Sequence, residues 1–298
     1  METLKQIILA ETPMTVDRYM ELCLTHPVHG YYMKQDPFGA NGDFTTAPEI
    51  SQIFGEIIGV WCVTKWEQAG KPEKFALMEL GPGRGTLMSD LLRGVKHIHG
   101  FKPEIHLVEI SPVLRAAQRE KLPQAIWHNE IPQLKIPTIV IANEFFDALP
   151  IKQFIGDKER MIIANGDNLA FNMPADEGTV HEICPAARDI MAKISENMAG
   201  IIIDYGYRER RKADSLQAMR QHKFVSPLDN PGDADLTAHV DFAALINYSK
   251  KITNFYTQRE FLLGHGADLR AKMLKKESDL ARLIEPAQMG ELFKVLCF

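Results

Sequence analysis

From residue 75 onward the chain alternates between two hydrophobic rhythms. Short unbroken apolar runs, "FALMEL", "EIHLVEI", "AIWHN", "TIVIANEF" and "GIIIDYG", are separated by more polar segments. Continuous runs of Ile, Val and Leu suit strands buried on both faces. In the first two intervening segments the apolar residues recur every three or four positions, which suits one face of a helix. "TLMSDLLRGV" carries such a stripe in Leu87, Met88, Leu91, Leu92 and Val95. "SPVLRAAQREKL" opens with Ser111 as an N-cap and Pro112 at the first helical position. Strands alternating with helices predict right-handed crossovers and a mostly parallel α/β sheet.

The pattern differs on either side of this core. "TVDRYMELCL" has Val16, Tyr19, Met20 and Cys23 at helical spacing, and "PEISQIFGEIIGVWCVTKWEQAG" has Ile50, Ile53, Phe54, Ile57, Ile58 and Trp61. Between them "HPVHGYYMKQDPFGANGDFTTAPEIS" is dense in Gly, Pro, Asp and aromatics, a loop composition. We expect residues 1–70 to form a helical and loop-rich cap over a domain spanning 71–298. Within that domain, "GD" turns split 151–173 into short β-like pieces, which predicts an antiparallel insertion. "KITNFYT" (251–257) and "GELFKVLCF" (290–298) read as late strands, with a Leu-, Lys- and Arg-rich helical insertion near 261–288. A late antiparallel strand would close the sheet.

Charge and composition narrow the function classes. The 298 residues are 45% hydrophobic and 24% charged, which is ordinary globular composition, and the net charge of −5 disfavours nucleic acid as a partner. "RERRK" at 208–212 reads as a solvated loop. The four cysteines have neither metal-ligand nor disulfide-framework spacing, and there is no metal-spaced His pair or Ser-His-Asp arrangement. No apolar run is long enough to span a bilayer, so no membrane insertion is expected. The first residues lack both a secretion-signal pattern and an Arg/Ser-rich transit pattern. This points to bacterial cytoplasm, or to the mitochondrial matrix for a mature organellar form.

The chemistry begins at "ELGPGRG" (79–85). Gly81, Gly83 and Gly85 let a strand-to-helix turn adopt left-handed angles and let a ligand approach the backbone. In open α/β sheets ligands bind beyond the carboxyl ends of the strands. A nicotinamide site reads G-x-G-x-x-G, whereas here the third glycine comes one residue early and Glu79 precedes the first by two. A carboxylate is out of place beside a pyrophosphate. It suits S-adenosyl-L-methionine, whose ammonium Glu79 can receive while loop N–H groups receive its carboxylate. Glu109 ends the next run, where ribose hydroxyls lie. Trp127, His128 and Asn129 follow the third run; they suit adenine contacts, with Asn129 the hydrogen-bonding member, or equally core and surface positions.

A second constellation, "NEFFDALP" (143–150), ends the fourth run. Asn143 is expected to face the cofactor, and Glu144 and Asp147 to face the substrate between two phenylalanines. An arginine substrate would explain paired carboxylates, because its guanidinium presents a fork of donors. The alternative for Asp147 is a helix cap. Asp43, among Tyr31, Tyr32, Phe38 and Phe44, is a third catalytic candidate on a segment resembling a lid, and "DYGY" (204–207) is placed to line the same pocket.

Taken together, "HPVHGYYMKQDPFGANGDFTTAPEISQIFGE", "ELGPGRGTLMSDLLR", "ANEFFDALPI", "IIDYGY" and "ADLTAHVDF" resemble the MidA-like methyltransferase family over nearly the whole chain. The resemblance implies a class I S-adenosyl-L-methionine-dependent, Rossmann-like fold with a mostly parallel seven-stranded sheet. It also implies symmetric ω-N dimethylation of an arginine on the quinone-module subunit of respiratory complex I, with the cofactor turn at Gly81, Gly83 and Gly85. Two other readings stay open at this point: a small-molecule methyltransferase, and a cofactor-binding assembly factor without essential catalysis.

Overall fold

Among the described residues, seven strands, numbered here along the chain, form the main run of an eight-stranded sheet: β1 (Ala76–Leu80), β2 (Glu104–Val108), β3 (Ile126–His128), β4 (Thr138–Asn143), β5 (Ala199–Tyr207), β6 (Asn254–Thr257) and β7 (Phe293–Cys297); the short strand Val240–Asp241 pairs with β5 off this run. Their spatial order is β3-β2-β1-β4-β5-β7-β6. The first five pair in parallel, and β7 runs antiparallel to both β5 and β6. This is the mostly parallel α/β architecture that the alternation predicts, with the late antiparallel strand in place. The computed structural model describes residues 2–34, 45–175, 178–209 and 213–298.

The chain divides into two units that interleave along the sequence. The sheet-bearing unit comprises Thr45–Phe145, Met191–Gly206 and Ile246–Phe298; the other comprises Met1–Phe44, Phe146–Ile190 and Tyr207–Leu245. Residues 45–70 therefore belong with the sheet, and the described residues before them belong to the second unit.

In the sheet unit every residue of β1 and β4 is buried, as strands covered on both faces require. One core runs through Phe54, Ile58, Leu77, Leu91, Ile141, Ile203 and Val295. Helix α1 (Gln52–Gln68) packs on α2 (Thr86–Val95), which follows β1. The two backbones can approach because Gly55 lies on α1: a Cβ there would stand 2.8 Å from the Asp90 Cβ. Buried Glu56 on the same helix takes a two-toothed ion pair from Arg270, with N–O distances of 2.7 and 3.1 Å. Helix α3 (Pro112–Lys121) links β2 to β3, and the Ser111 hydroxyl caps it by accepting from the Leu114 N–H.

The second unit has its own core of Ile8, Val16, Tyr19, Met20, Tyr31, Ile162 and Leu236. Helices Leu4–Glu11 and Val16–Thr25 contribute to it, and the described residues of this unit also form three small antiparallel sheets. Between 151 and 173 the chain forms short strands at Lys152–Ile155, Lys158–Glu159, Met161–Asn165 and Asn168–Phe171. No helix among the described residues is long and apolar enough to cross a membrane.

Candidate active site

Register brings four strand ends level. Leu80 on β1 pairs with Val108 on β2 and with Ala142 on β4, and Asn143 on β4 pairs with Ile203 on β5. Each strand carries an acid near this level or is followed by one: Glu79 and the glycine turn on β1, Glu109 after β2, Glu144 after β4 and Asp204 on β5. All four lie in the sheet unit. The line-up follows from parallel pairing, which sets every carboxyl end on one edge of the sheet.

The turn behind β1 takes the conformation its glycines permit. Gly81, Gly83 and Gly85 have φ values of +61°, +53° and +74°. The Gly81 N–H donates to the Val108 carbonyl, and a Cβ at Gly81 would stand 2.8 Å from the Phe145 ring. Gly85 is the N-cap of α2, and among the described residues no side chain caps that helix. The first-turn N–H of Met88 favours the charged form of the Glu79 carboxyl. Glu79 is buried, and its Oε2 has no hydrogen-bond partner among the described residues. Burial pushes the carboxyl up to about 8, opposed by the Met88 N–H and reinforced by the negative charge of Glu109. Among the described residues Glu79 has no cationic partner.

Glu109 is held by α3 from two sides. The Ser111 N–H donates to its Oε1 at 2.7 Å, and the Gln118 side-chain amide donates to its Oε2 at 3.2 Å. Burial raises its pKa, and these donors and Arg115 oppose the rise. Arg115, one turn along α3 from Ser111, donates to the backbone carbonyls of Glu109 and His128 and to the Asn129 Oδ1 at 2.8 Å. Asn129 thus sits at the carboxyl end of β3 with its side chain tied to the same helix. Trp127 packs against the core and donates its indole N–H to Gln118 Oε1, a structural anchoring.

Glu144 takes the left-handed conformation, with φ +50°, where a non-glycine residue is strained. Flanking bonds hold it there. Its own N–H donates to the Ile203 carbonyl at 2.9 Å, and the next N–H, of Phe145, donates to Asp204 Oδ2 at 3.2 Å. The Glu144 Oε1 accepts from the Asn143 side-chain amide and from the Ala47 N–H, at 3.2 and 3.3 Å. Asn143 Oδ1 is buried with no hydrogen-bond partner among the described residues. The segment bearing Ala47 is fastened to the glycine turn by Glu49, which accepts from the Thr86 hydroxyl at 2.6 Å and lies 3.9 Å from Arg84.

Glu79, Gly81, Gly83, Gly85, Glu109, Asn129, Asn143 and Glu144 therefore stand together on one unit. Asp147 belongs to the other, because the division falls between Phe145 and Phe146. No helix begins at Asp147, so it is not a helix cap; it lies in a turn whose carbonyl accepts from the Ala238 N–H. Its charge acts on half-buried Tyr32, whose hydroxyl donates to Asp235. Asp43 falls outside the described residues. Reasoning from sequence missed Gln118 and Arg115, whose only signal was their spacing of seven and four residues from the Ser111 cap.

The residues present fit S-adenosyl-L-methionine. A buried carboxyl oxygen without a partner suits an ammonium, left-handed glycines and an uncapped helix start suit a carboxylate, and a carboxylate at the end of β2 suits ribose hydroxyls. Comparisons with known proteins agree with this fit. Residues 57–168 and 166–260 match the model of a family described as putative S-adenosyl-L-methionine-dependent methyltransferases. The chain is 38% identical to the mitochondrial protein arginine methyltransferase NDUFAF7 of Xenopus tropicalis, over 95% of this chain and 81% of that one. It is 36% identical to the Danio rerio protein of the same name, over 96% and 83%. A superfamily protein from Burkholderia thailandensis, crystallised with S-adenosyl-homocysteine, superposes with a TM-score of 0.87 at 27% identity, covering 99% of this chain and 91% of that one.

Proposed function

The chain belongs to this family of S-adenosyl-L-methionine-dependent methyltransferases, and on that premise we propose that it methylates an arginine side chain of a protein substrate, a quinone-module subunit of respiratory complex I. The observation that carries the arginine reading is Glu144. Its carboxylate is fixed by a strained backbone and two donors on the sheet edge that also bears Glu79 and Glu109. Such rigidity suits a group that must orient a planar, charged donor fork.

When bound, S-adenosyl-L-methionine supplies an electrophilic methyl group on a sulfonium. Glu79 accepts the ammonium, the N–H groups at the start of α2 face the carboxylate, and Glu109 accepts the ribose hydroxyls. Asn143, whose buried carbonyl oxygen has no partner among the described residues, lies on the same edge. Glu144 accepts N–H groups of the guanidinium, orients its nitrogen for in-line attack and takes up the proton released. Asp204 acts behind it by holding the Phe145 N–H and with it the Glu144 backbone. The relatives are named as mitochondrial, and we place this chain in the matrix or in the cytoplasm of a bacterium.

The test is incubation of the protein with methyl-labelled cofactor and purified complex I subunits, followed by peptide mass spectrometry. Label on an arginine is the expected result. Label only on a small metabolite would reject the arginine reading while leaving the family assignment intact.

A further inference from the structure

Gln118 is fully buried in the middle of α3, and every polar atom of its side chain is used. Its Oε1 accepts from the Trp127 indole N–H at 2.8 Å. An indole nitrogen can only donate, so this bond fixes which end of the amide is oxygen. The two hydrogens on Nε2 then meet two acceptors: the Gly83 carbonyl at 2.7 Å and Glu109 Oε2 at 3.2 Å. One side chain therefore ties the middle of the glycine turn to the acid at the end of the neighbouring strand. A buried amide with no unmet valence has a defined position and no slack.

We propose that Gln118 is a positioning residue that locks the glycine turn and Glu109 into one frame, so that the amino-acid end and the ribose end of the cofactor site are set by a single bond network. The proposal rests on the family's use of S-adenosyl-L-methionine. It assigns Gln118 no contact with the cofactor; it acts through Gly83 and Glu109. Two consequences follow from the chemistry. Without the amide, the Gly83 carbonyl and the Glu109 carboxylate each lose a buried donor. Glu109 then also becomes harder to ionise, since burial already opposes its charge. The other charged groups acting on it are Arg115 on α3, which favours ionisation, and Glu79 on β1, which opposes it.

The experiment compares the parent with Gln118→Met, which keeps the volume and removes the amide, and with Trp127→Phe, which leaves Gln118 in place but unfixed. S-adenosyl-homocysteine binding is read by calorimetry. Adenosine binding is read by ligand-observed NMR across a pH series, because adenosine lacks the ammonium that Glu79 would receive and so reports Glu109. For Gln118→Met the affinity for S-adenosyl-homocysteine should fall about 10- to 100-fold, the loss of a buried bond to a charged group. The acid limb of adenosine binding should move to higher pH. Trp127→Phe should shift both in the same direction by less. A merely structural glutamine would lower stability without moving the acid limb. A folded Gln118→Met protein with affinity within about twofold of the parent and an unmoved limb overturns the proposal. If that variant does not fold, an unmoved limb in Trp127→Phe overturns it. A parent protein that binds no S-adenosyl-homocysteine would overturn the site assignment itself, a distinct result.

Discussion

Replacing Glu79 with Gln should strengthen the fold and weaken the cofactor site at once. In the folded protein burial pushes this carboxyl up to about 8 from its ordinary 4.5. The unfolded chain therefore binds fewer protons than the folded one between those two values, and stability falls as pH rises through that window. The stabilisation is full below pH 4.5 and lost as pH rises through 8. From 4.5 to neutrality is about 2.5 pH units at roughly 1.4 kcal/mol each, so the parent loses roughly 3 kcal/mol by about pH 7. Gln carries no charge to desolvate, so Glu79→Gln should exceed the parent by up to about 3 kcal/mol near pH 7, and by under about 1 kcal/mol near pH 5. Chemical denaturation at the two pH values measures this. Binding should move the other way. The variant cannot neutralise an ammonium, and S-adenosyl-homocysteine affinity should fall by about 2–4 kcal/mol, a factor of roughly 30 to 1,000. In the parent, the neutral carboxyl must ionise when the ammonium arrives, so binding near neutrality should release close to one proton, readable from calorimetry in buffers of different ionisation enthalpy. Unchanged affinity in Glu79→Gln, or a variant less stable than the parent at neutral pH, would refute this reasoning.

Two further substitutions probe the edge of the sheet. Gly81→Ala must place a side chain at φ +61° and 2.8 Å from the Phe145 ring. Left-handed strain of about 1–2 kcal/mol and overpacking of about 1–3 kcal/mol should lower the denaturation midpoint and reduce S-adenosyl-homocysteine affinity together. Glu144→Gly relieves left-handed strain of about 1 kcal/mol and loses hydrogen bonds worth a similar amount. Stability by denaturation should then change by less than about 1 kcal/mol, and cofactor affinity by little, while methyl transfer falls at least about 100-fold. A Glu144→Gly protein that methylates at the parent rate would remove Glu144 from the mechanism.

The sheet was readable because its strands are written as unbroken apolar runs and its crossovers as striped helices. The acids Glu79, Glu109 and Glu144 were readable because each closes such a run, and parallel register then sets strand ends side by side. What holds those acids was not. Gln118 lies in "AAQREK", a stretch with the polarity of a solvated helix face, and only folding turns it inward. The sequence places Asp204 to line the pocket but gives no sign that it is fully buried and accepts from the Phe145 N–H, a contact across 59 residues of chain. Glu144 gave no sign of its left-handed backbone, since the usual marker is glycine. The interleaving of the two units is equally silent in local pattern, because it depends on which distant segments share a core.

The central claim is that Glu79 and Glu109 grip opposite ends of one S-adenosyl-L-methionine molecule. A crystal structure of the protein with S-adenosyl-homocysteine tests it most directly. The account predicts the amino group at hydrogen-bond distance from the Glu79 carboxyl and both ribose hydroxyls on Glu109. A nucleoside bound with its sugar away from Glu109, or an amino group neutralised by some other acid, would contradict it.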